Sequence, residues 1–146
     1  MKKIIEVKNL TKSFTDGATV SQVLKGIDFE VTEGEFVAIM GRSGAGKSTF
    51  LYQMSLLDNP TSGSIKLNGH ITDRMNNQEK TQYRLTELGY VFQDYSLLPE
   101  LTALENIMVP LLMQGISMPV AKNRALKALE SVNLSERTGN LPSELS

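Results

Sequence analysis

The chain has 146 residues, 40% of them hydrophobic and 21% charged, with a formal net charge of −1. That size and mixture suit a globular domain and exclude a disordered chain, and the near-neutral charge gives a polyanion no long-range attraction, so nucleic acid is not an expected partner. There is no cysteine and His70 is the single histidine, which excludes disulfides, thiolate metal sites and a histidine metal cluster.

At the N-terminus Met1-Lys2-Lys3 is basic, but Glu6 and Lys8 interrupt the apolar stretch a signal peptide requires, so none is read here. Ile4, Ile5 and Val7 predict a first strand, followed by Leu10 and Phe14 and a turn at Asp16-Gly17. Val20, Val23 and Leu24 predict a second strand, and Lys25-Gly26 a turn into Ile27-Asp28-Phe29-Glu30-Val31, whose strict alternation marks a third strand with one wet face. Three short amphipathic strands predict an antiparallel layer. Glu33-Gly34-Glu35 turns the chain into Phe36-Val37-Ala38-Ile39-Met40, an apolar run expected to be a strand buried on both faces.

That run leads into Gly41-Arg42-Ser43-Gly44-Ala45-Gly46-Lys47-Ser48-Thr49, which fits the phosphate-loop pattern G-x-x-x-x-G-K-[ST] at every fixed position. Phe50, Leu51, Met54 and Leu57 then recur at helical spacing up to Asn59-Pro60. The glycines therefore lie between a strand and the first turn of a helix. There they let backbone amides from Gly44 to Thr49 face a polyphosphate, with the helix N-terminus behind them. Lys47 brings a cation to the outer phosphates, and the Ser48 hydroxyl is a candidate Mg²⁺ ligand. A nucleoside triphosphate is the implied ligand.

Asn59-Pro60-Thr61-Ser62-Gly63 is a turn cluster, Ser64-Ile65-Lys66-Leu67 a short edge strand, and His70 after Asn68-Gly69 an exposed turn residue. A loop over residues 71–78 and a short helix over 79–87 follow, with Tyr83 on one side and Lys80 and Arg84 on the other. Leu88-Gly89-Tyr90-Val91-Phe92 is a further apolar strand that delivers Gln93 to its end. Ligands of open α/β sheets bind at such ends, so Gln93 fits either a ligand to metal or water or an ordinary strand-end glutamine. Thr102 and Glu105 predict a capped helix from Ala103, and Pro119 opens another with Ala121, Ala125, Ala128, Leu129 and Val132 on its apolar face. The longest uncharged run, Asn106 to Ala121, contains Pro110, Gly115 and Pro119 and is shorter than the ~18 apolar residues of a spanning helix.

Phe14, the phosphate loop, Leu57-Asp58-Asn59-Pro60-Thr61-Ser62-Gly63, Tyr90-Val91-Phe92-Gln93 and Leu98-Pro99-Glu100-Leu101-Thr102-Ala103-Leu104-Glu105-Asn106 occur in an order that resembles the nucleotide-binding subunit of ATP-binding-cassette transporters. The resemblance is nearest to the branch serving lipoprotein release, macrolide export and antimicrobial-peptide export. It implies an α/β phosphate-loop NTPase (RecA-like) core with an N-terminal antiparallel β layer and part of a helical subdomain. Residues 1–94 would form the layer and core, and 95–146 the helical part. It also implies ATP and Mg²⁺ as cofactors, with Phe14 stacking on adenine and Gly41, Arg42, Ser43, Gly44, Ala45, Gly46, Lys47, Ser48 and Thr49 around the phosphates. Lys47 and Gln93 take the catalytic roles, and Ser48 and Gln93 approach the metal.

The same likeness implies a transmembrane permease subunit and a second ATP-binding subunit as partners, and a cytoplasmic location, peripheral at the inner face of the cell membrane. Leu145-Ser146 match the first two residues of the family's Leu-Ser-Gly-Gly-Gln signature. The chain is expected to be the N-terminal part of such a domain, a fragment or a truncated gene product. Its sheet is expected to be incomplete and, by itself, to have no ATPase activity, because no apolar run ends in Asp-Glu. Two other readings stand beside the exporter ATPase: a non-transport cassette protein regulating a membrane partner, and a nucleotide-binding module without catalysis. A small-molecule kinase sharing only the phosphate loop explains neither Phe14 nor Gln93.

Overall fold

The computed structural model describes residues 1–145. The chain divides into two compact units, Met1–Arg84 and a second from Leu85 onward. In the first, β1 (Lys3–Asp16) and β2 (Thr19–Thr32) form a long antiparallel hairpin, β3 (Ser62–Leu67) pairs antiparallel with the other edge of β1, and β4 (His70–Ile71) pairs with β3. The sheet order is β2-β1-β3-β4. Val7, Leu10, Leu24, Val31, Ile65 and Leu67 are buried on its inner face. Against them lie Phe50 and Met54 of α1 (Lys47–Met54), with the Phe50 ring edge-on to Phe29 at 5.3 Å between centroids.

The expected antiparallel layer is present, but two strands replace the predicted three. Lys25-Gly26 is a bulge inside β2 and not a turn. Register slips between Val7 and Leu10 and again between Leu10 and Thr11, so each strand carries an extra residue in turn. Asn9 and Gly26 have φ of 46° and 77°, and a Cβ on Gly26 would sit 2.8 Å from Asn9 Oδ1. Two facing bulges bend the hairpin without ending either strand. His70 belongs to β4 and remains exposed, its ring against Tyr83.

A second difference concerns the run expected to be a strand buried on both faces. Residues 36–40 join no ladder, and Phe36 and Met40 are 97% and 88% exposed. The apolar sequence is that of a central parallel strand, and such a strand is buried only when neighbours pair with both of its edges. No described residue supplies that pairing. The gap leaves a cavity of about 340 Å³ between β2 and residues 38–40, lined by Ile27, Phe29, Ala38, Ile39, Met40 and Phe50 among others. The predicted strand at residues 88–92 is likewise absent, with Val91 97% exposed. The incomplete sheet expected from the sequence is thus seen as two unpaired apolar runs.

The helix α1 is also shorter than the apolar spacing predicts. It stops at Met54, Leu56 adopts φ 57°, and the amides of Leu57 and Asp58 both turn back to the Tyr52 carbonyl. α2 (Asn77–Thr86) is capped reciprocally by Asn76 and Glu79, at 3.0 and 2.7 Å.

In the second unit Thr102 and Glu105 form the predicted capping box of α3 (Ala103–Met113), with the Thr102 amide donating to Glu105 at 2.8 Å. Those bonds, the backbone one foremost, hold the Glu105 carboxyl below its ordinary value. α4 (Met118–Ser131) packs on α3 through Ala121, Ala125 and Leu129. Ala128 and Val132, expected on that face, are exposed. No helix among the described residues is long and apolar enough to cross a membrane.

Candidate nucleotide site

Residues 41–49 form a loop that wraps into the first turn of α1. Gly46 is its N-cap in the left-handed region (φ 88°), and the Gly46 carbonyl accepts the first helical bond from Phe50 at 2.8 Å. A side chain there is excluded twice. The conformation disfavours any Cβ, and a Cβ would lie 2.9 Å from Val23 Cγ1 and 3.2 Å from Leu24 Cδ2. Val23 reaches the loop because it is the extra residue of a further register slip, Lys12 pairing with Leu24 and Ser13 with Gln22. The antiparallel layer thus backs the loop directly.

The amides of the first α1 turn have no intrahelical partners, and the turn contains no acidic residue. Ser48 is exposed within it. Lys47 Nζ donates to the carbonyls of Gly41 and Arg42, both at 2.9 Å, and the Ala45 amide closes a turn on Arg42 O at 3.1 Å. The lysine is thus folded over the concavity of its own loop. A phosphate oxygen accepts from the same ammonium that the two carbonyls hold, and charge-assisted bonds are the stronger. Among the described residues no group of three or more His, Cys, Asp or Glu is arranged to hold a metal. The donor set suits a polyphosphate and, through the Ser48 hydroxyl, a hard cation already carried by that phosphate.

Phe14 lies toward the end of β1, paired with Ser21, and its side chain is 47% exposed. Lys12, two residues earlier on the same face of the strand, places its ammonium 5.1 Å from the Phe14 ring centroid. The same ammonium donates to Asp58 Oδ1 at 2.8 Å and to the Asn59 carbonyl at 2.7 Å, and Asp58 Oδ2 lies 2.7 Å away in the ion pair. Gln53 Nε2 of α1 donates to Asp58 Oδ2 at 2.9 Å, while Gln53 Oε1 is buried with no hydrogen-bond partner among the described residues. Sequence reasoning missed this cluster, although Lys12 at a two-residue spacing from an exposed aromatic was a signal.

Burial acts to raise the Asp58 pKa, but Lys12, the Asn59 amide and Gln53 outweigh it, and the carboxyl is held below its ordinary 3.8. The unfolded chain therefore takes up this proton first. The contribution is complete above about pH 5 and is lost as pH falls through 3.8 and on through the lower folded value. Melting temperatures of Asp58→Asn are expected to fall less steeply than wild type on acidification from about pH 5 to 3; parallel profiles would contradict this.

Gln93 lies in the second unit, exposed, in a segment without helix or strand. That segment is held by Asn106, whose side chain accepts from the Leu98 amide at 2.8 Å and donates to the Leu101 carbonyl at 2.9 Å. Of the two residues likened to the signature motif, Leu145 is half-buried, and Ser146 lies outside the described residues.

A glycine-rich loop at a helix N-terminus, backed by an antiparallel layer, defines a phosphate-loop nucleotide-binding class. Residues 24–146 match the ABC transporter family, and the chain belongs to that family. It is similar to the lipoprotein-releasing system ATP-binding protein LolD of Bacteroides thetaiotaomicron, with 43% identity over 98% of this chain and 64% of that protein. The namesake from Zymomonas mobilis is 46% identical over 98% of this chain and 62% of its own length. Among solved structures, a dimeric ATP-binding cassette in a post-hydrolysis state bound to ADP and Pi superposes with a TM-score of 0.89 at 39% identity. That match covers 97% of this chain and 63% of that one. The chain therefore spans somewhat under two thirds of the length of these relatives, and the likeness establishes an α/β ATPase-cassette fold across it.

Proposed function

We propose that this chain is the ATP-binding portion of an ABC-type ATPase subunit that couples nucleotide binding and hydrolysis to export through a separate membrane subunit. The observation that carries the reading is the 41–49 loop, with Gly46 seated on β2 and the Lys47 ammonium held on the Gly41 and Arg42 carbonyls of that loop. Residues 1–94 supply the β layer and phosphate-loop core, and 95–146 part of the helical subdomain. A bound ATP would bring Mg²⁺, whose charge would neutralise the transferred phosphoryl group. In this reading Lys47 and the 44–49 amides would bind the phosphates, the Ser48 hydroxyl would be a ligand to the metal, and Gln93 would take the role of approaching metal and water. The similarity to lipoprotein-releasing LolD proteins makes lipoprotein release the favoured export role. A second ATP-binding subunit as partner and a position at the inner face of the cell membrane accompany that role.

A second reading, nucleotide binding without turnover, fits the 146-residue chain by itself. Hydrolysis needs a group to orient or deprotonate the water. Glu35, in the turn that precedes residues 36–40, already accepts from the Thr32 amide and hydroxyl at 2.8 and 3.0 Å. The expected outcome is ATP binding with no phosphate release above background. Release that disappears in Lys47→Ala would overturn the second reading.

Phe14→Ala is expected to weaken ATP by about tenfold, since stacking on a base contributes on the order of 1–3 kcal/mol. GTP loses about as much, because a ring face does not read hydrogen bonds. Equal loss for inorganic triphosphate in calorimetry would remove Phe14 from the base site.

Residues 93–101 are the proposed docking segment for the membrane subunit. Tyr95 is 92% exposed and Leu97 and Leu98 about half as much, and Asn106 fixes the Leu98 backbone. Exposed apolar groups clustered in one segment mark interaction surfaces. Cysteines at 95–98 are expected to crosslink to a co-expressed membrane partner, and crosslinks only from β1 and β2 would reject the assignment.

A further inference from the structure

Lys12 is enclosed, with its side chain 12% exposed. Its ammonium donates to Asp58 Oδ1 at 2.8 Å and to the Asn59 carbonyl at 2.7 Å, with Asp58 Oδ2 in ion-pair contact at 2.7 Å. A cation enclosed in this way and neutralised by its own carboxylate is committed inside the protein, so its charge serves something other than direct ligation of a phosphate. The neighbour without a polar claim on it is the Phe14 ring, 5.1 Å away.

We propose that Lys12 is a positioning residue for nucleotide binding: clamped by Asp58, it backs one face of the Phe14 ring and holds the other face in place for a purine base. This rests on the nucleotide reading above and deepens it. A cation against one ring face fixes the ring through the quadrupole and draws electron density from it, which favours stacking of an electron-rich base on the far side. The clamp also links the base platform to the phosphate site. Lys12 pairs with Leu24, which packs at Gly46, while Asp58 is gripped by Gln53 of α1, the helix whose first turn carries Lys47 and Ser48. The base platform and the phosphate loop are thus backed by the same hairpin and helix, while Lys12 itself touches only the platform.

The test is a double-mutant cycle by calorimetry on the 146-residue chain with Mg²⁺, comparing ATP with inorganic triphosphate. Lys12→Met is expected to lower ATP affinity about three- to tenfold, to leave triphosphate affinity unchanged, and to cost nothing further once Phe14→Ala is present. Lys12→Arg retains most of the ATP affinity. A merely structural lysine would instead weaken both ligands equally, or weaken ATP by the same factor with and without Phe14; either result overturns the proposal. If Lys12→Met does not fold, Asp58→Asn, which releases the clamp and keeps the cation, is read in the same cycle with the same expectations. Failure of the wild type to bind ATP at all overturns the nucleotide reading and this inference with it, whereas ATP binding with an additive cycle overturns this inference alone.

Discussion

Gly46→Ala is expected to abolish measurable ATP binding and to lower the stability of the first unit. Left-handed backbone costs an L-residue about 1–2 kcal/mol, and Gly46 sits at φ 88°. The added methyl must also displace Val23 Cγ1 from 2.9 Å, and the Val23 carbonyl lies at 3.4 Å with no freedom to swing away. Relief comes only by moving the loop off β2, which turns the amides of Lys47, Ser48 and Thr49 away from a common point. Gly44→Ala is the control. Its φ is 76°, but no atom of the described residues lies within 4 Å of its Cβ position beyond its chain neighbours, so it carries the conformational cost without the clash. A Gly46→Ala protein that melts and binds ATP as the wild type does would show that the contact with β2 does not shape the loop.

Lys47→Ala removes the ammonium that bonds the loop's own Gly41 and Arg42 carbonyls. Hydrogen bonds to charged groups contribute about 1.5–3 kcal/mol, so ATP affinity is expected to fall by about 10- to 100-fold. Melting of the unliganded protein should change little. The bonds that disappear run to the carbonyls of Gly41 and Arg42, both exposed and open to water. This separates Lys47 from Gly46: one variant loses ligand alone, the other loses ligand and fold. Equal affinities for wild type and Lys47→Ala would contradict the assignment of the loop.

The glycine loop and its entry into α1 were legible because their determinants are local. Glycine spacing, the lysine and the first residues of the helix lie within residues 41–49 and need no tertiary partner, whereas the strand expected ahead of the loop does not form. The Thr102–Glu105 capping box was legible for the same reason. Phe14 was recognised through likeness to a family, since nothing in an isolated exposed phenylalanine specifies a base. The hairpin was misread because Lys25-Gly26 has turn composition, and a bulge uses the same residues for the same φ. Residues 36–40 show a different limit. Phe36-Val37-Ala38-Ile39-Met40 encodes the environment of a strand flanked on both edges, and composition cannot say whether the flanking strands lie within the chain at hand. The Lys12–Asp58 clamp joins residues 46 apart in sequence, so the spacing of Lys12 and Phe14 could point to the cation beside the ring but not to the carboxylate that holds it.

The central claim is that residues 44–49 form a polyphosphate cradle, and amide chemical shifts report on it most directly. Titrating the ¹⁵N-labelled chain with ATP and Mg²⁺ is expected to move the backbone amides of Gly44 to Thr49 most, with the Phe14 and Ser21 amides following. Inorganic triphosphate should reproduce the 44–49 shifts and leave those at Phe14 and Ser21 nearly unmoved. Saturating ATP that leaves the 44–49 amides in place, or that shifts only residues outside the loop, would contradict the account.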